Sequence, residues 1–310
     1  RRLAADAPTV RAGLAAGDPS TAGLRHSMPD WIARRLVAAL GPEDAEGVMA
    51  AANAAAESAI RWNPLRGPRA TLEAELPAHH RGAFPDEAYV LDAPFGLEDS
   101  TAWARGRAMG QSRASMLPAH AVAPRAGEHV IDMCAAPGAK ATHLAALARN
   151  ACRLVAVELH ASRAAGLRRL AHRMGAVMEV VEGDARTVPL GGGADAVLLD
   201  PPCTGLGVLA ARPDARWRRR EEAIEPLVAL QRELVVRAMG LLRPGGRLVY
   251  STCTLLPEEN ERLLAGLGLR IDPTLAEEWP ALAHPRATGA LLVLPHRHGT
   301  DGFFVARVIA

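Results

Sequence analysis

Two cysteines lie in short polar segments that directly follow apolar, strand-like stretches of the chain. Cys203 ends the segment Asp200-Pro201-Pro202-Cys203, and Cys253 ends the segment Tyr250-Ser251-Thr252-Cys253. A cysteine considered alone is more often a buried apolar thiol than a nucleophile. Two cysteines in rigid polar loops after adjacent strands favour the opposite interpretation, because a thiolate can add covalently to a substrate.

The prolines of the first segment fix the backbone and remove two N–H donors, so the loop is rigid and narrow. A loop of this kind can hold a flat base in place. Base methyltransferases that act on exocyclic nitrogens have a similar Asp/Asn-Pro-Pro sequence followed by an aromatic residue. Here the fourth position is Cys203, which makes methylation of a nitrogen a weaker prediction.

Three acidic residues, Asp132, Glu158 and Asp184, follow three successive predicted strands. An acid at the end of the second strand typically accepts hydrogen bonds from ribose hydroxyls, and an aspartate after the third can accept one from an adenine amino group. Each residue alone is weak evidence. The ordered set indicates a pocket for a methyl-donor nucleoside.

The turn after the first predicted strand consists of small residues and one lysine: Cys134, Ala135, Ala136, Pro137, Gly138, Ala139 and Lys140. Small side chains let a ligand approach the backbone, and the helix that follows offers free N–H groups at its N-terminus. The G-x-G-x-x-G pattern of dinucleotide-binding folds is absent here, so a dinucleotide is not the predicted ligand.

The elements that must position these residues alternate between strands and helices from about residue 122 onward. The pattern predicts strands at 129–133, 154–158, 177–181, 196–199 and 247–251, with helices at 140–148, 161–174 and 224–242. Such alternation predicts a doubly wound, Rossmann-like α/β sheet that is mostly parallel. Ligands of these sheets bind beyond the carboxyl ends of the strands, where the polar segments lie.

The preceding residues, 27–110, predict a small α+β region. We expect helices at 31–40 and 44–59, followed by a strand that runs into a turn at 60–66. Residues 71–110 alternate short helical and strand-like pieces.

The composition permits a large core, since 49% of the 310 residues are hydrophobic and 23% are charged. None of the four cysteines forms a C-x-x-C pair, which argues against a metal site and predicts reduced thiols in a cytoplasmic protein. No apolar run approaches the roughly 20 residues of a membrane span, so we expect no membrane partner.

The net charge is only +2, so any binding of nucleic acid must depend on local basic clusters. Arginines cluster at residues 163–173 and at residues 216–220. We expect the second cluster, together with Arg61 and Arg66, to contact phosphates. The alternative, a solvated helix end at 216–220, stays open at this point.

Taken together, these segments resemble the RsmB/Sun type of RNA 5-methylcytosine methyltransferases, relatives of the NOP2/Sun proteins. The resemblance covers about residues 27–310 and is carried by the segments 132–138, 200–203, 212–214 with 217–218, 250–253 with 257–260, and 301–304. The chain departs from the family pattern at Ala139 and Ala141, where Gly and Thr are usual, and at Ser112, where Asp is usual.

The resemblance implies three domains. Residues 1–24 would be a linker or the remnant of an upstream NusB-like domain, and residues 25–118 a small α+β domain that binds RNA. Residues 119–310 would be the class I methyltransferase domain, with S-adenosylmethionine as its cofactor. The implied substrate is RNA, small-subunit (16S) rRNA above all, and the implied protein is a monomer without a metal.

The resemblance also implies a role for each site residue. Cys253 is the attacking thiol, Cys203 assists release of the product, Asp200 hydrogen-bonds the base near nitrogen 3, and Lys140 orients Asp200. DNA 5-methylcytosine enzymes use the Pro-Cys cysteine as nucleophile instead, so position alone does not settle the two roles. The implied donor-binding residues are Cys134, Ala135, Ala136, Pro137, Gly138, Ala139, Lys140, Glu158, Arg163, Asp184 and Asp200.

Other functions remain compatible with this fold. The RNA could be a tRNA, or the protein could methylate DNA or protein, although the Thr252-Cys253 pair and the segment 257–260 argue against the last two. A non-catalytic RNA-binding or ribosome-assembly factor would be favoured by loss of either thiol or of Asp200, and all three are present.

Overall fold

The computed structural model describes residues 21–310, so nearly all of the predicted linker or domain remnant at 1–24 lies outside the described residues. The described chain opens with three helices: α1 (Ala22–Arg25), α2 (Asp30–Leu40) and α3 (Pro42–Ala51). Their apolar faces, including Ile32, Leu36 and Met49, pack against Leu206 and Leu256 from the far part of the chain.

The helix predicted at 44–59 is too long, because α3 ends at Ala51. Residues 53–56 are exposed, so the continuing alanine run has no apolar face to bury there. Helical stability in proteins depends mainly on such packing and less on intrinsic propensity. The prediction of a strand that runs into a turn at 60–66 is confirmed, since the strand ends at Trp62 and a 3₁₀ turn follows at Pro64–Arg66.

A small antiparallel sheet follows, which we call the small sheet unit (residues 59–111). Its strands have the order β2-β3-β1-β4, and Ile60, Leu72 and Tyr89 fill its core. Its elements are β1 (Ala59–Trp62), α4 (Arg69–Glu73), β2 (His79–Arg81), β3 (Ala88–Leu91), α5 (Thr101–Ala104) and β4 (Ala108–Gly110), with 3₁₀ turns at Pro64–Arg66 and Leu97–Asp99.

The remaining residues, 113–310, form the large sheet unit. Its elements are α6 (Arg113–Val122), β5 (His129–Asp132), α7 (Ala139–Leu147), β6 (Arg153–Glu158), α8 (Ala161–Met174), β7 (Glu179–Glu182), β8 (Ala194–Leu199), α9 (Ala215–Arg218), α10 (Ile224–Leu241), β9 (Leu242–Thr252), α11 (Glu261–Gly266), α12 (Thr274–Glu278), β10 (Leu291–Val293), α13 (Pro295–His298) and β11 (Phe303–Ile309), with 3₁₀ turns at Glu221–Ala223, Pro257–Glu259 and Pro280–Leu282.

The large sheet has the strand order β10-β11-β9-β8-β5-β6-β7. Neighbouring strands from β9 through β7 run parallel, whereas β11 and β10 are antiparallel additions at one edge. This arrangement confirms the predicted Rossmann-like α/β fold. The carboxyl ends of β9, β8, β5, β6 and β7 meet at one edge of the sheet, in that order, and this edge carries the polar segments.

Helix α6 spans the domain boundary predicted between residues 118 and 119. Its residues Ala114 and Leu117 are fully buried and pack with Val130 and Phe303 of the large sheet unit. No described helix has both the length and the apolar character needed to cross a bilayer.

Candidate active site

The two cysteines predicted to meet do so at the carboxyl ends of β8 and β9. The strands pair in parallel with Leu199 opposite Tyr250, so the loops that follow them lie side by side. The sulfur atoms of Cys203 and Cys253 are 3.4 Å apart. Cys203 is buried and Cys253 is partly exposed, so Cys253 is the more accessible thiol to a substrate.

Glu259 fixes the loop that carries Cys203. Its carboxylate, fully buried, accepts hydrogen bonds from the Thr204 backbone amide at 2.9 Å, from the Thr204 hydroxyl and from Gln231 Nε2 at 2.9 Å. Gln231 also donates to the Pro202 carbonyl at 2.8 Å. Pro202 and Thr204, on either side of Cys203, are therefore held by Gln231 of α10 and by Glu259 of the 3₁₀ turn after β9.

Asn260 holds the other cysteine in a similar way. Its Oδ1 accepts a hydrogen bond from Thr252 Oγ1 at 2.6 Å, and its Nδ2 donates to the Thr254 carbonyl at 3.1 Å. Cys253 lies between these two threonines. Glu259 and Asn260 belong to the sequence segment 257–260 that carries the family resemblance, from which no role is predicted for either residue. Their position just after the second cysteine is the signal that points to one.

Two glycines let the chain approach Cys253 closely. The Gly207 amide donates to the Cys253 carbonyl at 2.9 Å, and the Gly302 amide donates to the Gly207 carbonyl at 2.7 Å. A Cβ atom on Gly207 would lie 2.2 Å from the Gly302 carbonyl oxygen. This contact brings the next residue, Phe303, close to the site, where its ring centroid lies 5.1 Å from Lys140 Nζ.

Lys140 and Asp200 form an ion pair beside the cysteines. Lys140 Nζ donates to Asp200 Oδ2 at 2.8 Å, and Ser251 Oγ donates to Asp200 Oδ1 at 3.0 Å. Burial opposes the charge on Lys140, but the attraction and hydrogen bond of Asp200, with smaller contributions from Cys253 and Asp132, raise the pKa of Lys140. The site thus holds a positive charge close to the Cys253 sulfur.

The same environment keeps Cys203 in its thiol form. The hydrogen bond with Cys253, then burial and the charge of Cys253, raise the pKa of Cys203 well above its usual value. Cys203, the residue predicted to act second, is therefore a thiol before the reaction.

The turn Cys134–Lys140 joins β5 to α7 at the same edge. Gly138 adopts φ +116°, and a Cβ there would lie 2.5 Å from Leu167 and 2.8 Å from Leu170. Arg163 donates to the Ala136 carbonyl at 2.8 Å. Glycine is thus required at this turn, and Arg163 holds the loop from the side of α8.

Glu158 is the last residue of β6, and Asp184 follows the end of β7. Glu158 is buried, and its Oε1 accepts from the His160 amide at 2.9 Å and lies 3.7 Å from Arg163 Nη1. Both Asp184 oxygens accept hydrogen bonds from Arg186, whose Nη2 is 2.6 Å from Asp184 Oδ2. The two acids predicted to bind the methyl donor thus lie at the expected edge, and both already have intramolecular partners.

Comparison with known proteins places this geometry in a family. The family model of the 16S rRNA methyltransferases RsmB/F matches residues 119–309. The chain belongs to this family. It is 34% identical to the ribosomal RNA small subunit methyltransferase B of Sodalis glossinidius over 94% of this chain and 68% of that protein.

Solved structures agree with this assignment. The crystal structure of PH0851 superposes with a TM-score of 0.85 at 31% identity, covering 92% of this chain and 67% of that one. A methyltransferase homologue from Pyrococcus horikoshii gives a TM-score of 0.80 at 28% identity, covering 94% and 98% of the two chains. The family depends on S-adenosylmethionine and methylates carbon 5 of cytosine in RNA.

The residues at the edge fit this donor. Asp132, fully buried at the end of β5, has two carboxylate oxygens that accept no well-formed hydrogen bond from the described residues. Burial and the charge of Asp200 raise the pKa of Asp132 to about 7, although Lys140 and the Cys134 amide oppose the shift. A buried carboxylate whose oxygens lack a well-formed hydrogen bond from the described residues suits a ligand that carries positive charge.

Two arginines predicted to contact phosphates are buried and have structural partners. Arg61 has no exposed surface, and Arg216 donates to Asn53 Oδ1 and the Ala52 carbonyl. These two predictions were wrong because the partners come from distant parts of the chain. Arg66 donates to the Arg173 and His172 carbonyls at the end of α8 but is exposed, so its contact with phosphate stays a prediction. Arg218, Arg219 and Arg220 remain exposed.

A cleft of about 720 Å³ opens beside the cysteine loops, between α3, the end of β3 and the loops of the large sheet unit. Gly207, which bonds the Cys253 carbonyl, lies in its wall. The described lining contains Glu57, Asp92 and Asp301 but no lysine or arginine. The cleft therefore suits a base or sugar better than a phosphate.

Glu87, His120 and His143 lie together between the two sheet units, with ligand atoms within 4.8 Å of one another. Both imidazole Nε2 atoms are 2.7 Å from Glu87 Oε1. Burial, followed by the charge of Arg61, lowers the pKa of His143 to about 3. Because the Arg61 cation opposes a positive charge on His143, we interpret this group as an interface cluster of two imidazoles around a carboxylate, with His143 neutral.

Proposed function

We propose that this protein transfers a methyl group from S-adenosylmethionine to carbon 5 of a cytosine in small-subunit rRNA, with Cys253 as the covalent nucleophile. The observation that carries the proposal is the 3.4 Å contact between the Cys203 and Cys253 sulfurs beside the Lys140–Asp200 ion pair. The relative from Sodalis glossinidius is named a small-subunit rRNA methyltransferase, which supports this choice of RNA.

Carbon 5 of cytosine is a poor nucleophile, so the first step of the reaction must make it more nucleophilic. The Cys253 thiolate adds to carbon 6, which forms an S–C bond and makes carbon 5 enamine-like. The Lys140–Asp200 pair supplies a proton at nitrogen 3 as the ring gains electrons. Lys140, whose pKa is raised chiefly by Asp200 against the effect of burial, places a positive charge near Cys253.

S-adenosylmethionine supplies an electrophilic methyl group to carbon 5. The turn Cys134–Lys140, Glu158 and Asp184 hold the donor, and Arg163 supports the turn through the Ala136 carbonyl. The donor-binding end of the sheet, at β5 to β7, adjoins the cysteine end at β8 and β9. The base and the donor thus bind side by side.

Cys203 completes the reaction by accepting the proton from carbon 5. Before attack, the Cys253 hydrogen bond and charge are main causes of the raised pKa of Cys203. Once Cys253 is a thioether it carries no charge, so the pKa of Cys203 falls. Cys203 then releases its own proton to solvent, and the thiolate that remains is the base. Loss of the proton re-forms the C5–C6 double bond and expels the Cys253 thiolate.

The target cytosine must leave any helix to reach the sulfurs, since the reaction needs both faces of carbons 5 and 6. The cleft beside Gly207 provides a path for the nucleotide and its neighbours. Because the lining of the cleft is acidic, the RNA phosphates contact other surfaces of the protein. The exposed arginines at 218–220 form one such surface.

Two experiments test the proposal. The first measures transfer of tritiated methyl groups from the donor to RNA by the purified protein. The second is bisulfite sequencing of total RNA from cells with and without the gene. We expect a single protected cytosine in small-subunit rRNA that disappears with the gene. Protection lost only in tRNA would reassign the substrate. If no RNA is labelled and no RNA changes when the gene is removed, the protein has the fold of the family but not the proposed activity.

A further inference from the structure

Arg61, at the centre of β1 in the small sheet unit, makes most of its contacts with the large sheet unit. Its Nη1 donates to the Ala139 carbonyl at 2.7 Å, and its Nη2 donates to Thr142 Oγ1 at 3.0 Å. Nη1 also contacts Gln111 Oε1 at 2.5 Å. The guanidinium therefore joins one unit to the first turn of α7.

This position is costly for a cation. Arg61 has no exposed surface, and its Nε has no hydrogen-bond partner among the described residues. The N-terminus of α7 carries a partial positive charge of its own, which opposes a second one. Well-packed apolar side chains commonly replace buried charges without loss of stability, so folding alone does not account for an arginine here.

What Arg61 holds is the turn that binds the donor. Ala139 is the first residue of α7, directly after Gly138, and Lys140 is the second. Thr142 Oγ1 in turn donates to the Gly138 carbonyl at 2.8 Å. The contacts of Arg61 thus fix the first turn of α7, from which Lys140 reaches Asp200 at 2.8 Å.

We propose that Arg61 is a positioning residue for catalysis: it sets the donor-binding turn and Lys140 from the small sheet unit, without touching either substrate. The inference rests on the proposed function, because it takes the turn Cys134–Lys140 as the donor site. It also makes the small sheet unit part of the donor site, so that the two units must be docked for the donor to bind well.

The chain offers a matched control. Arg66, five residues further along, also donates from the small sheet unit to backbone carbonyls of the large one, at 2.9 Å and 2.5 Å. Its partners, Arg173 and His172, end α8 at its C-terminus, whereas the donor turn precedes α7 at the sheet's other edge. Loss of Arg66 weakens docking and leaves the first turn of α7 untouched.

The experiment compares wild type, Arg61→Ala, Arg61→Lys and Arg66→Ala. For each, the KM for S-adenosylmethionine, the KM for RNA, kcat and the melting temperature are measured. We expect Arg61→Ala to raise the donor KM by roughly tenfold or more, because small displacements of a positioned group cost this much. Its RNA KM should change by less than about twofold, and millimolar guanidinium should restore part of the donor affinity. The donor KM of Arg61→Lys should lie between those of wild type and Arg61→Ala, since one ammonium cannot reach both acceptors.

Arg66→Ala should lower the melting temperature with a donor KM within about twofold of wild type. The inference is overturned if Arg61→Ala keeps the wild-type donor KM, or if both arginine variants raise it equally. If Arg61→Ala does not fold, Arg61→Lys and Thr142→Val, which removes the hydroxyl acceptor, decide the question by the same measurements. A wild-type protein that neither binds the donor nor methylates RNA would contradict the proposed function instead.

Discussion

The sulfur atoms of Cys203 and Cys253 lie 3.4 Å apart although 50 positions separate the two residues in the chain. This distance exceeds the roughly 2.05 Å of a disulfide bond, so the two sulfurs are in contact without being bonded. They differ in their surroundings, since Cys203 is buried with a raised pKa and Cys253 is partly exposed beside Lys140. Because the surroundings of the two thiols differ, removal of one thiol should interrupt the reaction at a different step from removal of the other.

Cys203→Ala should accumulate as a covalent complex with its RNA. Attack by Cys253 and methyl transfer stay possible, but the base that removes the carbon 5 proton is gone, so the adduct cannot resolve. Cys253→Ala should form no adduct and show no turnover. Denaturing gel electrophoresis of each variant with RNA and donor measures the complex directly.

The double variant is the control, and it should trap no RNA. If Cys253→Ala traps RNA and Cys203→Ala does not, the two roles are reversed, as in the DNA enzymes. If neither variant traps RNA and both turn over normally, covalent catalysis is the wrong mechanism for this protein.

The meeting of the two cysteines could be predicted from sequence because strand order follows from regular alternation. Parallel strands place their carboxyl ends together, so polar residues after β8 and β9 had to become neighbours. Charged residues with buried partners could not be predicted in this way. In the sequence, Arg61 and Arg216 look like residues that could bind phosphate. Only the fold shows that Arg61 donates hydrogen bonds to Ala139 and Thr142, and Arg216 to Asn53.

Glu158→Ala should weaken binding of S-adenosylmethionine by about 1–3 kcal/mol, the range for leaving a buried polar group without its partner. Asp184→Ala should weaken it less, because Arg186 already occupies both Asp184 oxygens and must yield to the donor. Calorimetry measures both affinities. Glu182→Ala, at an exposed position nearby, is the control and should bind as wild type does. Unchanged affinity in both acid variants would remove these residues from the donor site.

Replacing Arg218 and Arg219 together with alanine should weaken RNA binding and reduce its dependence on salt. Each lost contact with a single-strand phosphate lowers the slope of log affinity against log salt by about 0.7. Among residues 21–310, the Arg218 side chain has only an exposed ion pair with Asp214, so its removal should not disturb the fold. An unchanged slope would favour the solvated-face interpretation of this cluster.

Arg216→Ala should behave differently from its neighbours. Its guanidinium donates to Asn53 Oδ1 at 2.7 Å and to the Ala52 carbonyl at 2.8 Å, so its loss leaves acceptors between α3 and α9 without donors. We expect a decrease of about 1–3 kcal/mol in the free energy of unfolding, with the salt slope retained. Chemical denaturation and the binding assay together separate the two effects, and a reduced slope with normal stability would return Arg216 to the phosphate-binding surface.

Binding of S-adenosylmethionine should strengthen as pH rises through 7. The pKa of Asp132 is raised to about 7 by burial and by Asp200, so this carboxyl is largely protonated at lower pH and charged at higher pH. A donor with positive charge binds the carboxylate in preference to the neutral acid, so protons and donor compete for the site. Calorimetry between about pH 6 and about pH 8 should show affinity falling toward acid, with a slope approaching about tenfold per pH unit below the pKa. Asp132→Asn, which stays neutral throughout, is the matched control and should bind the donor weakly with a flat profile. A wild-type profile that is equally flat would mean that Asp132 does not face the donor's charge.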